Sequence, residues 1–254
     1  MTNSPADISF DRKLSYFLIF AFTSGALAHC LPAVLPVTKV TTDGLLFVLN
    51  GLVLYAIYRS NEDKRLFYWL AAAYAFTFIM EALGVATGAI FGEYKYGPTM
   101  WFQWLGVPFV IALNWCVLTL ACNEVAVRIL ERIFPPQGET PRETPGESDR
   151  AELALSPASH TLNTAYRIPH ILSAVLAAIL TALYDVTIEP VAIALDYWQW
   201  GGGEIPLQNY FAWAAIAFVI SWPLYIFRIR FRNPVLLVYF FAQLFFFVVL
   251  NWAY

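Results

Sequence analysis

Residues 234–254 read PVLLVYFFAQLFFFVVLNWAY, and this stretch decides the fold. It offers about twenty apolar residues with no Lys, Arg, Asp or Glu, the length at which a helix crosses about 30 Å of hydrocarbon with every backbone group satisfied internally. Working outward, comparable runs occur near 14–35, 43–58, 66–90, 105–128, 167–195 and 209–227, the second being short; with 235–253 the count is seven. The whole chain of 254 residues is 59% hydrophobic and 13% charged, against about half and about a quarter in soluble domains. A soluble core does not account for that surplus. The reading is an all-α, polytopic helical membrane bundle of about seven spans, a single integral membrane domain over 1–254 with the lipid bilayer as its solvent.

Between the fourth and fifth spans lies PPQGETPRETPGESDRAELALSPASH (135–160), rich in Pro, Gly, Glu and Ser. That composition marks a solvated linker, assigned to 131–165 on the cytoplasmic side. Seven spans send thirteen Lys and Arg to one side and only Lys39 and Lys95 to the other. The positive-inside rule then puts a multi-pass protein in the cell membrane, N-terminus cytoplasmic and C-terminus outside. Arg12-Lys13, an apolar run and Ala26-Leu27-Ala28 together resemble a signal peptide. The run continues to Leu35, longer than a usual signal core, so a retained first helix is the expectation.

Several function classes fall away on composition. A net charge of −3 and the lack of a long basic run exclude a nucleic-acid partner. Cys30, Cys116 and Cys122 lie in apolar segments without metal-type spacing, and His29, His160 and His170 are too few and too scattered for a metal cluster, so no metal is expected. No lysine sits in the core of any span, which removes a retinal Schiff base.

Carboxylates inside spans are the informative residues, since each costs about 2.5–3.5 kcal/mol on insertion scales. Four qualify: Glu81, Glu124, Asp185 and Glu189. Glu124 stands four residues before Arg128 and reads as a salt bridge. Glu81, Asp185 and Glu189 fall toward the non-cytoplasmic half. Asp185 and Glu189 share a helix face, and Pro190 is expected to loosen the turn there. Two carboxyls so close in a dry site do not ionise together easily, and one is expected to keep its proton. Glu81 is followed thirteen residues later by Tyr94-x-Tyr96, and Asp185 thirteen later by Trp198-x-Trp200; each stretch then enters a helix with Pro and Asn (Pro108, Asn114; Pro206, Asn209). This reads as a candidate parallel internal repeat of the third and fourth spans against the fifth and sixth. His29, Asn50, Asn114, Gln243 and Asn251 are further intramembrane polar groups whose ordinary role is to tie helices together.

The blocks EALGVATGAIFGEYKYG (81–97), LGVPFVIALNW (105–115), YDVTIEPVAIALDYWQW (184–200) and IPLQNYFAW (205–213) resemble the membrane carotenoid-biosynthesis family typified by the CruF-type carotenoid 1',2'-hydratase, including bisanhydrobacterioruberin hydratase. The likeness spans roughly 80 to 213. It implies addition of water to the terminal 1',2' double bond of an acyclic, lycopene- or gamma-carotene-like end group, with no cofactor, beside other enzymes of that pathway. No residue roles are carried over.

Chemistry supplies the roles. Hydrating a trisubstituted alkene needs an acid, a cavity that tolerates a tertiary cation and a group that directs water. Glu81, Asp185 and Glu189 are the expected acid and base, in interchangeable order. Tyr94, Tyr96, Trp198 and Trp200 are the expected cation-stabilising faces, with Asn209, His29, Asn50 and Asn114 as further substrate contacts. A carotenoid cyclase would use the same protonation, and a transporter would also carry membrane carboxylates. Against the transporter, the acids gather toward one face instead of forming a relay.

Overall fold

The computed structural model describes residues 5–135 and 170–254. Among them are seven long helices: α1 (Pro5–His29), α2 (Leu35–Asn61), α3 (Arg65–Thr87), α4 (Phe109–Ile133), α5 (His170–Ala194), α6 (Leu207–Ile226) and α7 (Pro234–Ala253). The helical membrane bundle expected from the sequence is what forms. Six of the seven are long and apolar enough to cross a membrane. The exception is α1, which takes Arg12 and Lys13 into the helix and stops at His29 instead of Leu35, so its apolar stretch is shorter.

Other boundaries shift for physical reasons. α2 begins at Leu35 with Pro36 in its first turn, where a missing N–H costs nothing, and so takes in Lys39 and Asp43 ahead of the apolar run. α3 ends at Gly88, whose φ of +65° closes the helix with its N–H on the Gly84 carbonyl. α4 and α6 each start after an extended proline, Pro108 and Pro206, with ψ of 132° and 137°. α5 runs through Pro190 to Ala194 without a break. Of the polar linker expected at 131–165, residues up to Ile133 belong to α4; 136–165, with His160, lie outside the described residues.

α4 is the central helix: 78% of its most apolar 18-residue stretch is buried, against 28–44% for the other five. It touches α2, α3, α5, α6 and α7, while α1 lies along α7 and α2. Outward faces carry Tyr16, Phe20, Tyr68, Phe211, Phe241 and Trp252, an apolar exterior that water would not tolerate over so large an area.

One end of the bundle is rich in cations and closed by ion pairs. Glu124, fully buried, accepts from Arg128 Nε at 2.6 Å and Arg232 Nε at 2.9 Å, which is the salt bridge expected from sequence with a second partner added. In the α2–α3 turn, Asp63 binds the Arg65 side chain at 2.8 Å and the Arg230 backbone N–H at 2.9 Å. These contacts hold its carboxyl well below the usual carboxylate range, and they fix that turn to the α6–α7 connection.

The opposite end is capped by short strands. β1 (Tyr94–Tyr96) follows α3, and a hairpin of β2 (Gln103–Trp104) and β3 (Val107–Pro108) leads into α4. Leu105 and Gly106, at φ +53° and +75°, make the tight turn of that hairpin. β4 (Trp198–Trp200) follows α5 and pairs antiparallel with β1, Tyr94 opposite Trp200, Lys95 opposite Gln199 and Tyr96 opposite Trp198. The period of two turns all four aromatic rings inward and sends Lys95 and Gln199 out.

Gly97 extends this pairing, donating its N–H to the Tyr197 carbonyl at 2.7 Å, and a β-carbon there would overlap the Asp196 carbonyl oxygen. Gly97→Ala is expected to destabilise the purified protein by about 3 kcal/mol or more through overpacking. Gly202→Ala, with open space around the added carbon, is expected to leave thermal unfolding in detergent unchanged. Equal melting temperatures for the two variants would contradict the role given to the strand pair.

Candidate active site

The strand pair brings together what the chain keeps apart. Glu81, in the last part of α3, is buried with both oxygens occupied. Its Oε2 accepts from the hydroxyls of Tyr94 (2.5 Å) and Tyr96 (2.8 Å), and its Oε1 from Trp115 Nε1 (2.8 Å). Glu189, near the end of α5, is held in the same manner. Its Oε2 accepts from Trp198 Nε1 (2.9 Å) and Trp200 Nε1 (2.8 Å), and its Oε1 from Asn209 Nδ2 (3.1 Å). Each carboxyl thus receives three neutral donors, two from the strand that follows its own helix.

The two cradles interlock. Across the strands, the Tyr94 ring lies 5.2 Å from Trp200 and Tyr96 lies 5.8 Å from Trp198. Below them, Trp115 of α4 and Trp213 of α6 stack at 3.9 Å. The matched α3–β1–α4 and α5–β4–α6 segments are therefore joined at both strands and helices. The tryptophan pair reaches Glu189, however, and not Asp185, from which the thirteen-residue spacing was counted; Pro190 does not break α5, so the next acid one turn on is the one under the strand.

Asp185 is fully buried behind this layer. Its Oδ2 accepts from Asn209 Nδ2 at 2.6 Å, so the Asn209 amide spends both hydrogens bridging the two acids of α5. Its Oδ1 is buried with no hydrogen-bond partner. Burial first, and the neighbouring Glu81 charge second, push the Tyr94 hydroxyl far above the usual phenol range, and the same two causes act on Tyr96. Both rings stay neutral donors at any physiological pH.

These groups face a cavity of about 120 Å³ lined by all seven helices together with β1 and β4. Glu81, Glu189, Tyr94, Tyr96, Trp198, Trp200, Asn209, Asn114 and His29 all contribute to its wall. Asp185 and Asn50 do not reach it. Asn50 and Asn114 instead flank the Tyr239 hydroxyl, at 2.7 and 2.9 Å, and Gln243 joins them at 3.1 Å from that hydroxyl. Asn251 donates to the Thr187 and Phe247 carbonyls and ties α7 to α5 away from the cavity.

A second polar group lies on the cavity wall. His29 Nε2 stands 3.4 Å from Thr42 Oγ1 and 3.3 Å from the Tyr197 hydroxyl. Burial pushes the Tyr197 phenol up to about 12. Sequence reasoning missed Thr42, Tyr197, Trp115, Trp213 and Tyr239. One signal was available: Trp115 and Trp213 each stand seven residues after the proline that opens their helix. Among the described residues no group of His, Cys, Asp and Glu is arranged to hold a metal ion.

Acids met by neutral donors, aromatic faces and a largely apolar pocket suit proton transfer to an apolar substrate. No curated protein and no solved structure matches the chain. A family model described as carotenoid biosynthesis protein matches residues 43–254, which takes in α2 from residue 43 and every described element after it. The chain belongs to the carotenoid biosynthesis protein family.

Proposed function

We propose that the protein hydrates a carotenoid: it adds water to the terminal 1',2' double bond of an acyclic, lycopene- or gamma-carotene-like end group, without a cofactor. The observation that carries this reading is the pair of carboxyls, Glu81 and Glu189, set on one apolar cavity between four inward-facing aromatic rings. Three of about four lone-pair positions on each carboxyl are filled by donors. The remaining position, on Oε1, is where a transferable proton sits.

Proton transfer from one of these acids to the less substituted alkene carbon leaves a tertiary cation on its neighbour. The faces of Tyr94, Tyr96, Trp198 and Trp200 stabilise that cation without capturing it. The other carboxylate helps position the water that adds. Asp185, out of contact with the cavity, acts on Glu189 through the shared Asn209 amide and is a positioning residue. The cavity volume, about 120 Å³, compares with the roughly 150 Å³ of a dry cavity that holds benzene. It takes the end of an isoprenoid chain and leaves the polyene outside. In the cell the cation-rich end would face the cytoplasm, and substrate would enter from the bilayer.

In a host that accumulates lycopene, the protein is expected to convert the pigment to a species heavier by the mass of water. Cyclisation, the alternative outcome of the same protonation, adds no mass, and an unhydrated cyclic product would overturn the hydratase reading. Glu81→Gln and Glu189→Gln are each expected to lower product by about a hundredfold or more, the range of a lost general acid or base.

Asp185→Asn is expected to have the milder effect, about tenfold, with a displaced pH–rate profile, because it alters the neighbour of Glu189 and not the substrate contact. Normal product formation by both the Asp185→Asn and Glu81→Gln variants would contradict the assignment.

A further inference from the structure

The His29–Thr42–Tyr197 group differs from the acid cradles in one countable respect, its balance of donors and acceptors. Nδ1 of His29 lies 2.7 Å from the Gly25 carbonyl, which can only accept, so Nδ1 carries a hydrogen and the neutral ring presents a bare lone pair at Nε2. Thr42 uses its hydroxyl hydrogen on the Thr38 carbonyl at 2.8 Å, leaving Oγ1 as an acceptor. The Tyr197 hydroxyl has one hydrogen for two neighbours, Oγ1 of Thr42 at 3.1 Å and Nε2 of His29 at 3.3 Å. Two acceptors therefore compete for one donor, in a group that lines the cavity, and one acceptor is left over. A buried acceptor without a donor costs on the order of 1–3 kcal/mol, and a water molecule, with two hydrogens to give, satisfies it.

We propose that His29, Thr42 and Tyr197 hold the water molecule that attacks the substrate cation, with His29 Nε2 as the acceptor of its proton. The inference rests on the hydration reading above. It divides labour within one cavity: the donor-rich cradles of Glu81 and Glu189 supply the proton, and the acceptor-rich group on α1 and α2 supplies the nucleophile. The alkene π pair takes the carboxyl proton, so that the O–H and π bonds break, a C–H bond forms on one carbon and its neighbour becomes the cation. The water oxygen then forms a C–O bond to the cationic carbon with its own lone pair. The surplus proton on that oxygen passes to Nε2 and returns through water to the carboxylate that gave the first. One water is consumed and nothing is oxidised or reduced. The Phe246 ring packs on the imidazole nearly at right angles, with centroids 5.3 Å apart.

The test uses membranes carrying the full chain, incubated in D2O with lycopene in liposomes, for the wild type and for His29→Leu and Thr42→Val. Each variant removes one acceptor and leaves the acids in place. Wild type is expected to give hydrated carotenoid bearing one deuterium on carbon for each hydrated end. Both variants are expected to lose at least tenfold of the hydrated product while deuterium enters the unhydrated carotenoid, because the cation still forms and is resolved by proton loss. Hydration within twofold of wild type in both variants would overturn the proposal. So would loss of hydration and deuterium uptake together in both, which would assign the group to protonation or to folding. Absence of hydrated product from the wild type would instead defeat the hydratase reading itself.

Discussion

A carboxyl group in the dry interior of a helical bundle must be met by hydrogen-bond donors, and at Glu81 and Glu189 the donors are neutral and come from elsewhere in the chain. Tyr94 and Tyr96 stand thirteen and fifteen residues beyond Glu81, and Trp115 thirty-four. Trp198, Trp200 and Asn209 serve Glu189 at nine, eleven and twenty. No local helix rule supplies such partners. They arrive only when β1 and β4 pair and lay four aromatic rings over the ends of α3 and α5. The strand pair is short, yet α3, α4, α5 and α6 are all tied to it through these side chains.

The two ends of the bundle treat buried acids differently. At the cation-rich end Glu124 and Asp63 are matched by guanidinium groups, Arg128, Arg232 and Arg65, at 2.6–2.9 Å. The work of these acids is to hold helices and turns together. At the other end the acids meet only phenol, indole and amide donors. Such partners orient a carboxyl without setting a full positive charge beside it. The same three kinds of donor also line the pocket with flat, polarisable faces.

Much of this was legible in the chain. Apolar runs of about twenty residues gave the helices, because lipid permits few other backbone solutions. Glu124 and Arg128, four apart, gave their salt bridge because helix geometry makes them neighbours. The acids were selected because each is out of place in hydrocarbon, and the aromatic-x-aromatic pairs and Asn209 because they follow an acid at matched spacing. What escaped depends on tertiary placement. The start of α2 was hidden because Lys39 and Asp43 break the apolar pattern while remaining helical. The partner of the tryptophan pair was assigned to Asp185 because linear spacing cannot tell which of two acids one turn apart lies beneath a strand. Trp115 and Trp213 read as ordinary membrane aromatics until they stack. Thr42 and Tyr197 carry no signal at all until α1, α2 and the segment before β4 converge.

The account stands on one claim: Glu81 and Glu189 form a single site that receives the end of an isoprenoid chain. The most direct measurement is an experimental structure of the full chain in a lipid nanodisc with an acyclic carotenoid bound to a Glu189→Gln variant. The account predicts the terminal double bond between residues 81 and 189, against the rings of Tyr94, Tyr96, Trp198 and Trp200, with the polyene leaving between helices. A carotenoid whose terminal group lies elsewhere, such as the apolar groove between α3 and α6 lined by Trp69 and Phe76, would contradict it.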